Sequence, residues 1–368
     1  MTKLIVMATA VVGLATPGYA QLGGVGGALR KAAEKKQAID ELVISEAEER
    51  QIGEEVSARI RTRFGVVQNA AVHKYVALVG TALVQQSERS QLPWTFIVLD
   101  TDGVNAFASP GGFIHITRGA LGLIRNEAEL AGVLGHEIAH VTRKHTVNAI
   151  QKNKAVAAAV NSAAGGRSAL IERMANQAYA MVLENSFDRG DELDADRVGI
   201  QLAQTVGYAP ALGDFLTRLD ERNRATTERN GLFASHPETT ERIEKGRQIG
   251  AGLKTTALVE SRYKSRVGYE VPPLASLTVV SEGAARASES GTGAGKADGS
   301  NDEPKKRGFG LSALKQTAGQ EKPSTQVSAS GGARGLGADR AAKGGANPAL
   351  VNVAVTPAEV SVFRKGIA

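Results

Sequence analysis

The chain has 368 residues, 42% of them hydrophobic but only 4% aromatic, with 42 glycines and a formal net charge of +6. It is longer than one ordinary domain and apolar enough to build a core, so it is not disordered throughout. It contains no cysteine, which excludes disulfides, thiolate metal sites, iron–sulfur clusters, a cysteine nucleophile and a lipoprotein anchor, and leaves any metal to histidine, carboxylate or backbone oxygen.

Residues 1–20 are expected to be a signal peptide. Lys3 supplies the positive start, Leu4 to Leu14 is an apolar run too short to span a bilayer, and Gly18-Tyr19-Ala20 puts small residues where a signal peptidase cuts. Cleavage after Ala20 would give a periplasmic or secreted protein with no transmembrane segment in the mature chain. Residues 21–44 are glycine-rich, then basic, and read as a flexible lead-in. Ser45 and Glu48 form a capping box, and Ile52, Val56 and Ile60 follow at helical spacing up to Gly65. A second helix begins after Asn69, with Val72, Tyr75, Val76, Val79 and Leu83 as its buried stripe. Trp94 to Leu99 and Phe113 to Thr117 read as strands, the latter with Ile114 and Ile116 on one face and Phe113 and His115 on the other. A third helix has Asn126 as N-cap and Glu129 at the capping-box position, and runs to about Lys144. The stretch 147–186 is helical with a break at Gly165-Gly166, and further helices are expected near 191–206, 210–222 and 237–248.

Residues 253–283 read as a β-prone extension. From 284 to 349 Ser, Gly, Ala and Lys dominate, the composition of a disordered linker. Its basic residues, Lys305, Lys306 and Arg307 among them, carry much of the net charge, which places that charge off any folded face, and no nucleic-acid partner is expected. Residues 350–368 alternate through Val351, Val353 and Val355 and read as a strand-like segment that docks on the body or on a partner. No repeat with a period of 20–50 residues is visible.

The chemistry lies in the third helix. His136-Glu137-Ile138-Ala139-His140 is an H-E-x-x-H sequence. Four residues is about one helical turn, so both imidazoles project from one face and can bind one ion, and Glu137, one position on and displaced around the helix, can reach a water on that ion. A catalytic zinc takes three protein ligands and keeps a position open. The best candidate for the third ligand is Glu192 in Glu192-Leu193-Asp194-Ala195-Asp196; Asp196 shares its helical face and suits a carboxylate that accepts from the outer N–H of a ligand histidine. The alternative for this pair is a solvated acidic helix start. Of the other histidines, His145 is expected to be rotated off the ligand face and His73 to lie on the surface, while His115 could line a cleft. Arg189 either braces a carboxylate or stays on the surface.

With these residues in place the sequence resembles the forty-eighth metallopeptidase family, which includes HtpX-like and CAAX-prenyl-protease-like enzymes, and in particular its soluble exported branch. Four blocks carry the likeness: Asn105 to Gly112 leading to Ile114, Ile116 and Gly119; His136 to Val141 followed by His145; Glu192 to Asp196 followed by Gly199; and Ser235-His236-Pro237 followed by Arg242-Ile243. The resemblance implies an α+β, mainly α-helical, zincin-like domain over 45–252, with a small sheet beside the H-E-x-x-H helix. It implies one zinc ion per chain held by His136, His140 and Glu192, Glu137 as general base and then acid, and Asp196 as the carboxylate behind a ligand. The block containing Asn105, Ala106, Gly111, Gly112 and Ile114 would form a substrate-binding strand, to which an extended peptide adds through main-chain hydrogen bonds. His236 is the candidate catalytic donor to the oxyanion; closure of the fourth zinc position and a helix cap are the alternatives. The expected function is a zinc endopeptidase of the bacterial envelope acting on unfolded or misassembled envelope proteins. The alternative is a chaperone-like or partner-binding envelope factor with latent or regulated peptidase activity, its basic tail recruiting the partner.

Overall fold

A computed structural model of the protein describes residues 44–152, 166–183, 187–223, 236, 239–271, 278–279, 327–328 and 347–367. The expected signal peptide, the lead-in and nearly all of the expected linker therefore lie outside the described residues. Helix α1 (Glu46–Phe64) starts at the expected capping box, with Ser45 accepting from the Glu48 amide and Glu48 bonding back to the Ser45 amide. Helix α2 (Ala70–Val84) is capped by Asn69. Three strands follow, β1 (Thr95–Leu99), β2 (Ala106–Ser109) and β3 (Phe113–Thr117), in the order β1-β3-β2, with β1 parallel and β2 antiparallel to the central β3.

The sheet is buried on both faces, and its period-2 alternation sorts side chains into two cores. Ile114 and Ile116 join Phe96, Val98 and the α2 stripe on one side; Phe107, Phe113, Ile97 and Leu99 face α1 on the other. Next come α3 (Arg118–Leu123), the H-E-x-x-H helix α4 (Glu127–Thr142), α5 (His145–Lys152), α6 (Gly166–Leu183), α7 (Arg189–Val206), α8 (Leu212–Asn223) and α9 (Thr239–Ala251). Asn126 caps α4 by accepting from the Glu129 amide. At the start of α4, Glu127 is sealed from solvent and accepts from the Tyr75 and Tyr208 hydroxyls, at 2.7 and 2.6 Å, and from Arg262. No helix among the described residues is long and apolar enough to cross a membrane.

Three expectations are corrected. The extension after 252 is not β throughout: α10 (Glu260–Arg266) packs into the main core, with Tyr263 buried and its hydroxyl donating to the Leu121 carbonyl. Its N-cap, Val259, makes no side-chain cap hydrogen bond, so the sequence lacks the usual helix-start residue. The strand-like segment expected over 350–368 does not form either. Val351, Val353 and Val355 do turn inward while their neighbours face solvent, but α11 (Pro357–Lys365) follows, started by a Thr356–Glu359 capping box with proline in its first turn. It returns Val360, Phe363 and Ile367 to the core beside α2 and α10. His73, expected on the surface, is buried; its Nε2 bonds to the Val67 carbonyl, and burial pushes its pKa down.

The crossing of α4 and α7 fixes the centre of the fold. A Cβ on Gly199 would stand 2.6 Å from the His136 amide nitrogen, and one on Gly135 would stand 2.8 Å from the Gly199 carbonyl oxygen. Only glycine permits this approach. Gly199→Ala should therefore force the helices apart and cost about 1–3 kcal/mol, the usual range for overpacking, measured by urea denaturation. A loss below about 0.5 kcal/mol, the scale of a neutral surface change, would show that the crossing tolerates a methyl group.

Candidate metal centre

Helix α4 presents His136 and His140 on one face, α7 presents Glu192 from its first turn and Asp196 one turn later, and His236 enters from the segment ahead of α9. One ligand atom from each of His136, His140, Glu192 and His236 lies within 4.8 Å of the others, and all four side chains are buried. His140 Nε2 is 3.0 Å from His136 Nε2 and 3.4 Å from Glu192 Oε1, and His236 Nδ1 is 3.3 Å from His136 Nε2 and 2.8 Å from Glu192 Oε1. Four donors around a tetrahedral zinc with bonds of ~2.0–2.1 Å stand roughly 3.3 Å apart, so these spacings fit one ion.

Charge balance points the same way. Three buried carboxylates, Glu137, Glu192 and Asp196, face one buried guanidinium, Arg242. Burial pushes the Glu137 carboxyl up to about 7, and both its oxygens are buried without a hydrogen-bond partner among the described residues. Buried polar groups are ordinarily satisfied, so an orphaned carboxylate beside four convergent donors marks a place for a ligand. Burial also acts to raise Glu192 and Asp196, but His236 and Arg242 hold the first well below the usual carboxylate range, and Arg242 and His136 hold the second at about 2. A divalent cation would offset the remaining negative charge. A two-histidine, one-carboxylate set with a further histidine suits zinc.

The outer nitrogens of the two α4 histidines have partners. His136 Nδ1 lies 2.8 Å from Asp196 Oδ1, which accepts its proton and leaves Nε2 free to ligate. Arg242 holds Asp196 in place through Nε at 2.8 Å and Nη2 at 2.7 Å, and approaches Glu192 at 2.9 Å. His145 Nδ1 lies 3.0 Å from His140 Nδ1, which corrects the expectation that His145 points away. The helix does not run on through 145: Arg143 is the C-cap, Lys144 adopts the left-handed conformation at φ 57°, and the chain turns back to carry the His145 ring over His140. Phe187 covers the same ring at a centroid distance of 4.1 Å. Arg242 follows the fourth block in the chain, and no local spacing or residue pattern marks the place it takes beside Asp196 and Glu192. Arg189 is paired with Glu241 at the surface, outside the cluster.

The expected substrate strand divides in two. Asn105 to Ile116 is a hairpin whose turn contains Gly111 and Gly112, at φ 71° and 95°. Ile114 lies on the central strand with its side chain in the core, so of this block only β2 forms an edge of the sheet. The Thr117 amide donates to the Asn105 carbonyl; antiparallel alternation from that pair turns the main-chain groups of Ala106 and Ala108 to the outer edge. Asn105 Oδ1 accepts from the Ala106 amide, and its NH2 group is buried without a partner among the described residues. The close approach that Gly111 permits is to α1, where a Cβ would stand 2.6 Å from the Arg50 Cα. His115 does not line a cleft; it is enclosed against α1 with Nε2 2.9 Å from Ser57 Oγ.

Comparison with known proteins agrees with this centre. Residues 70–249 match the family described as Peptidase family M48. The chain is 27% identical over 217 residues to the beta-barrel assembly-enhancing protease of Escherichia coli (strain K12), covering 55% of this chain and 44% of that protein. It is 29% identical over 172 residues to the mitochondrial metalloendopeptidase OMA1 of Schizosaccharomyces pombe, covering 46% and 51% respectively. To metalloprotease YcaL of Escherichia coli (strain K12) it is 27% identical over 157 residues, covering 41% and 60%. The chain spans about half the length of the curated relatives it matches. The matched region holds His136, Glu137, His140, Glu192, Asp196, His236 and Arg242, while α1 and α11 lie outside it. Residues 70–249 are therefore a domain of peptidase family M48.

Proposed function

We propose that this chain is a zinc-dependent endopeptidase of the bacterial envelope that hydrolyses peptide bonds in unfolded or misassembled polypeptides. The observation that carries the reading is the Glu137 carboxylate, sealed from solvent without a hydrogen-bond partner among the described residues, on the helix that bears His136 and His140. His136, His140 and Glu192 hold the ion. When bound, zinc supplies Lewis acidity: it polarises a carbonyl and lowers the pKa of water from ~15.7 toward ~7. Asp196 keeps the His136 proton on Nδ1, and Arg242 keeps Asp196 ionised and in place. Glu137 takes the proton of the attacking water on a carboxylate oxygen and returns it to the leaving amine nitrogen, and its burial favours the protonated form that the second step needs. The Ala106 carbonyl and the Ala108 amide and carbonyl, buried in the described arrangement where α6 packs on β2, would pair with an extended polypeptide once that cover moves aside.

His236 is read as the group that closes the fourth position. Its Nδ1 stands among the ligand atoms, and its Nε2 is 3.7 Å from Glu137. A catalytic zinc keeps one position open, so His236 must withdraw before substrate binds and the described arrangement is a latent one. The name of the Escherichia coli relative, a protease that enhances beta-barrel assembly, supports a quality-control role in the envelope. Signal cleavage after Ala20 and export to the periplasm belong to the same proposal. The basic residues of 284–349 would favour an envelope partner or an anionic surface.

Glu137→Gln should retain one zinc per chain and lose cleavage of denatured casein by at least ~10²-fold, the lower bound for removing a general base. Cutting at the wild-type rate would refute the proposed chemistry. Binding of denatured casein without cleavage by the wild type would favour the chaperone-like alternative. His236→Ala should keep zinc and cut faster than the wild type. A fall in rate of ~10²–10³-fold would assign His236 to the oxyanion instead.

A further inference from the structure

β2 and α4 pack side by side although they are neither sequential nor hydrogen-bonded to one another, so their spacing is set by what bridges them. Glu49, on α1 and outside the family-matched region, is buried between them. Its Oε1 accepts from the Gly111 amide at 3.1 Å, in the turn that ends β2, and from Arg89 Nη1 at 2.8 Å. Its Oε2 accepts from Arg89 Nη2 at 3.0 Å, and Lys144 Nζ stands 3.5 Å away. The same Arg89 Nη1 donates to the Val141 carbonyl at 3.0 Å, one residue beyond His140 on α4. A continuous buried strut thus runs from the β2–β3 turn through Glu49 and Arg89 to the end of the metal helix.

The turn is clamped from its other side as well. Arg50 Nη1 donates to the Gly111 carbonyl at 2.8 Å and to the Pro93 carbonyl at 2.7 Å. A Cβ on Gly53 would meet the Pro110 carbonyl oxygen at 1.8 Å, so α1 lies directly on the turn. The narrow gap beside the strut is lined by Glu49, Ser109, Pro110, His140 and Lys144, which places Glu49 at its wall together with a proposed ligand. A buried ion pair is by itself weak support for stability, since an apolar pair of equal volume often serves as well. An apolar pair, however, cannot accept from the Gly111 amide or donate to the Val141 carbonyl. Those two bonds give this pair a geometric task.

We propose that Glu49 and Arg89 are positioning residues for peptide cleavage: by tying the Gly111 turn to the Val141 carbonyl they hold the substrate-binding edge of β2 at a fixed distance from His136, Glu137 and His140. This rests on the peptidase reading above and on β2 as the strand that takes the substrate main chain. Loosening the strut lets the edge drift, and drift of about an ångström is enough to spoil alignment with reacting groups.

The test uses the full chain in the Glu137→Gln background and a fluorescein-labelled, eight-residue Val/Thr peptide, with binding read by fluorescence anisotropy. Lysine cannot reproduce the planar fork that spans both Glu49 oxygens and the Val141 carbonyl, so adding Arg89→Lys should weaken binding about tenfold, the equivalent of about 1.4 kcal/mol. Glu49→Gln keeps an acceptor for the Gly111 amide and should weaken binding by only about threefold. Both variants should hold one zinc per chain and melt within about 4 °C of their parent. In catalytically active Arg89→Lys KM for the same peptide should rise and kcat should fall as well, because the bound edge no longer aligns with the reacting groups, whereas a raised KM with unchanged kcat would show lost binding without lost alignment and overturn the positioning role. Unchanged binding in Arg89→Lys, weakening that merely tracks loss of zinc or of folded protein, or absence of peptide binding to Glu137→Gln would each overturn the proposal. A wild type that binds the peptide but never cuts it would overturn the peptidase reading alone.

Discussion

Where α4 crosses α7, Gly135 and Gly199 lie face to face with no side chain between them, and the two backbones come close enough that a single methyl group would collide. The rest of the centre depends on that contact. With the helices this near, Glu192 and Asp196 reach His136 and His140 directly, without water or a longer side chain as intermediary. The geometry can be held tightly because it is set by backbone against backbone. Side chains on rigid elements hold ligand geometry better than side chains on loops.

The crossing has an electrostatic cost, because it collects three carboxylates in a site closed to water. Arg242 offsets part of it, bonding Asp196 with two nitrogens and standing 2.9 Å from Glu192. Glu137 receives no such bond and is pushed up to about 7 by its burial. The protein thus separates its acids by environment: two are held ionised by His236, His136 and Arg242, and the third is left poised to take up a proton. That division is the one required by a site in which one carboxylate ligates, one orients a ligand and one moves protons.

The parts legible in the sequence are those with a local signal. H-E-x-x-H needs only helical periodicity, the Asn126 and Ser45 caps are read from residue type and spacing, and Glu192 and Asp196 share a face because they are four apart. The alternation in Phe113–Thr117 sorted the two sheet faces correctly. What was not legible depends on non-local packing or on conformations that residue type does not announce. Nothing in Lys144 signals a left-handed turn, so the return of His145 to His140 was hidden. Arg242 owes its position to the docking of α9 on α7. The α11 helix had a signal, Thr356-Pro357-Ala358-Glu359, which the valine alternation just before it obscured. His73 sits one residue beyond the buried Val72, and its burial depends on the Val67 carbonyl, which only the folded loop brings near.

In the proposed centre His136, His140 and Glu192, with His236 at the fourth position, converge on one zinc ion. Metal analysis of the purified full-length chain, by mass spectrometry after exhaustive dialysis, tests it most directly when the wild type is compared with His136→Ala and Glu192→Ala. About one zinc per chain is expected in the wild type and a small fraction of that in both variants, each still folded by circular dichroism, because His136 and Glu192 belong to the three residues that would hold the ion throughout, and a three-ligand site that loses one loses most of its affinity. A metal-free wild type, or variants that keep a full equivalent of zinc, would contradict it.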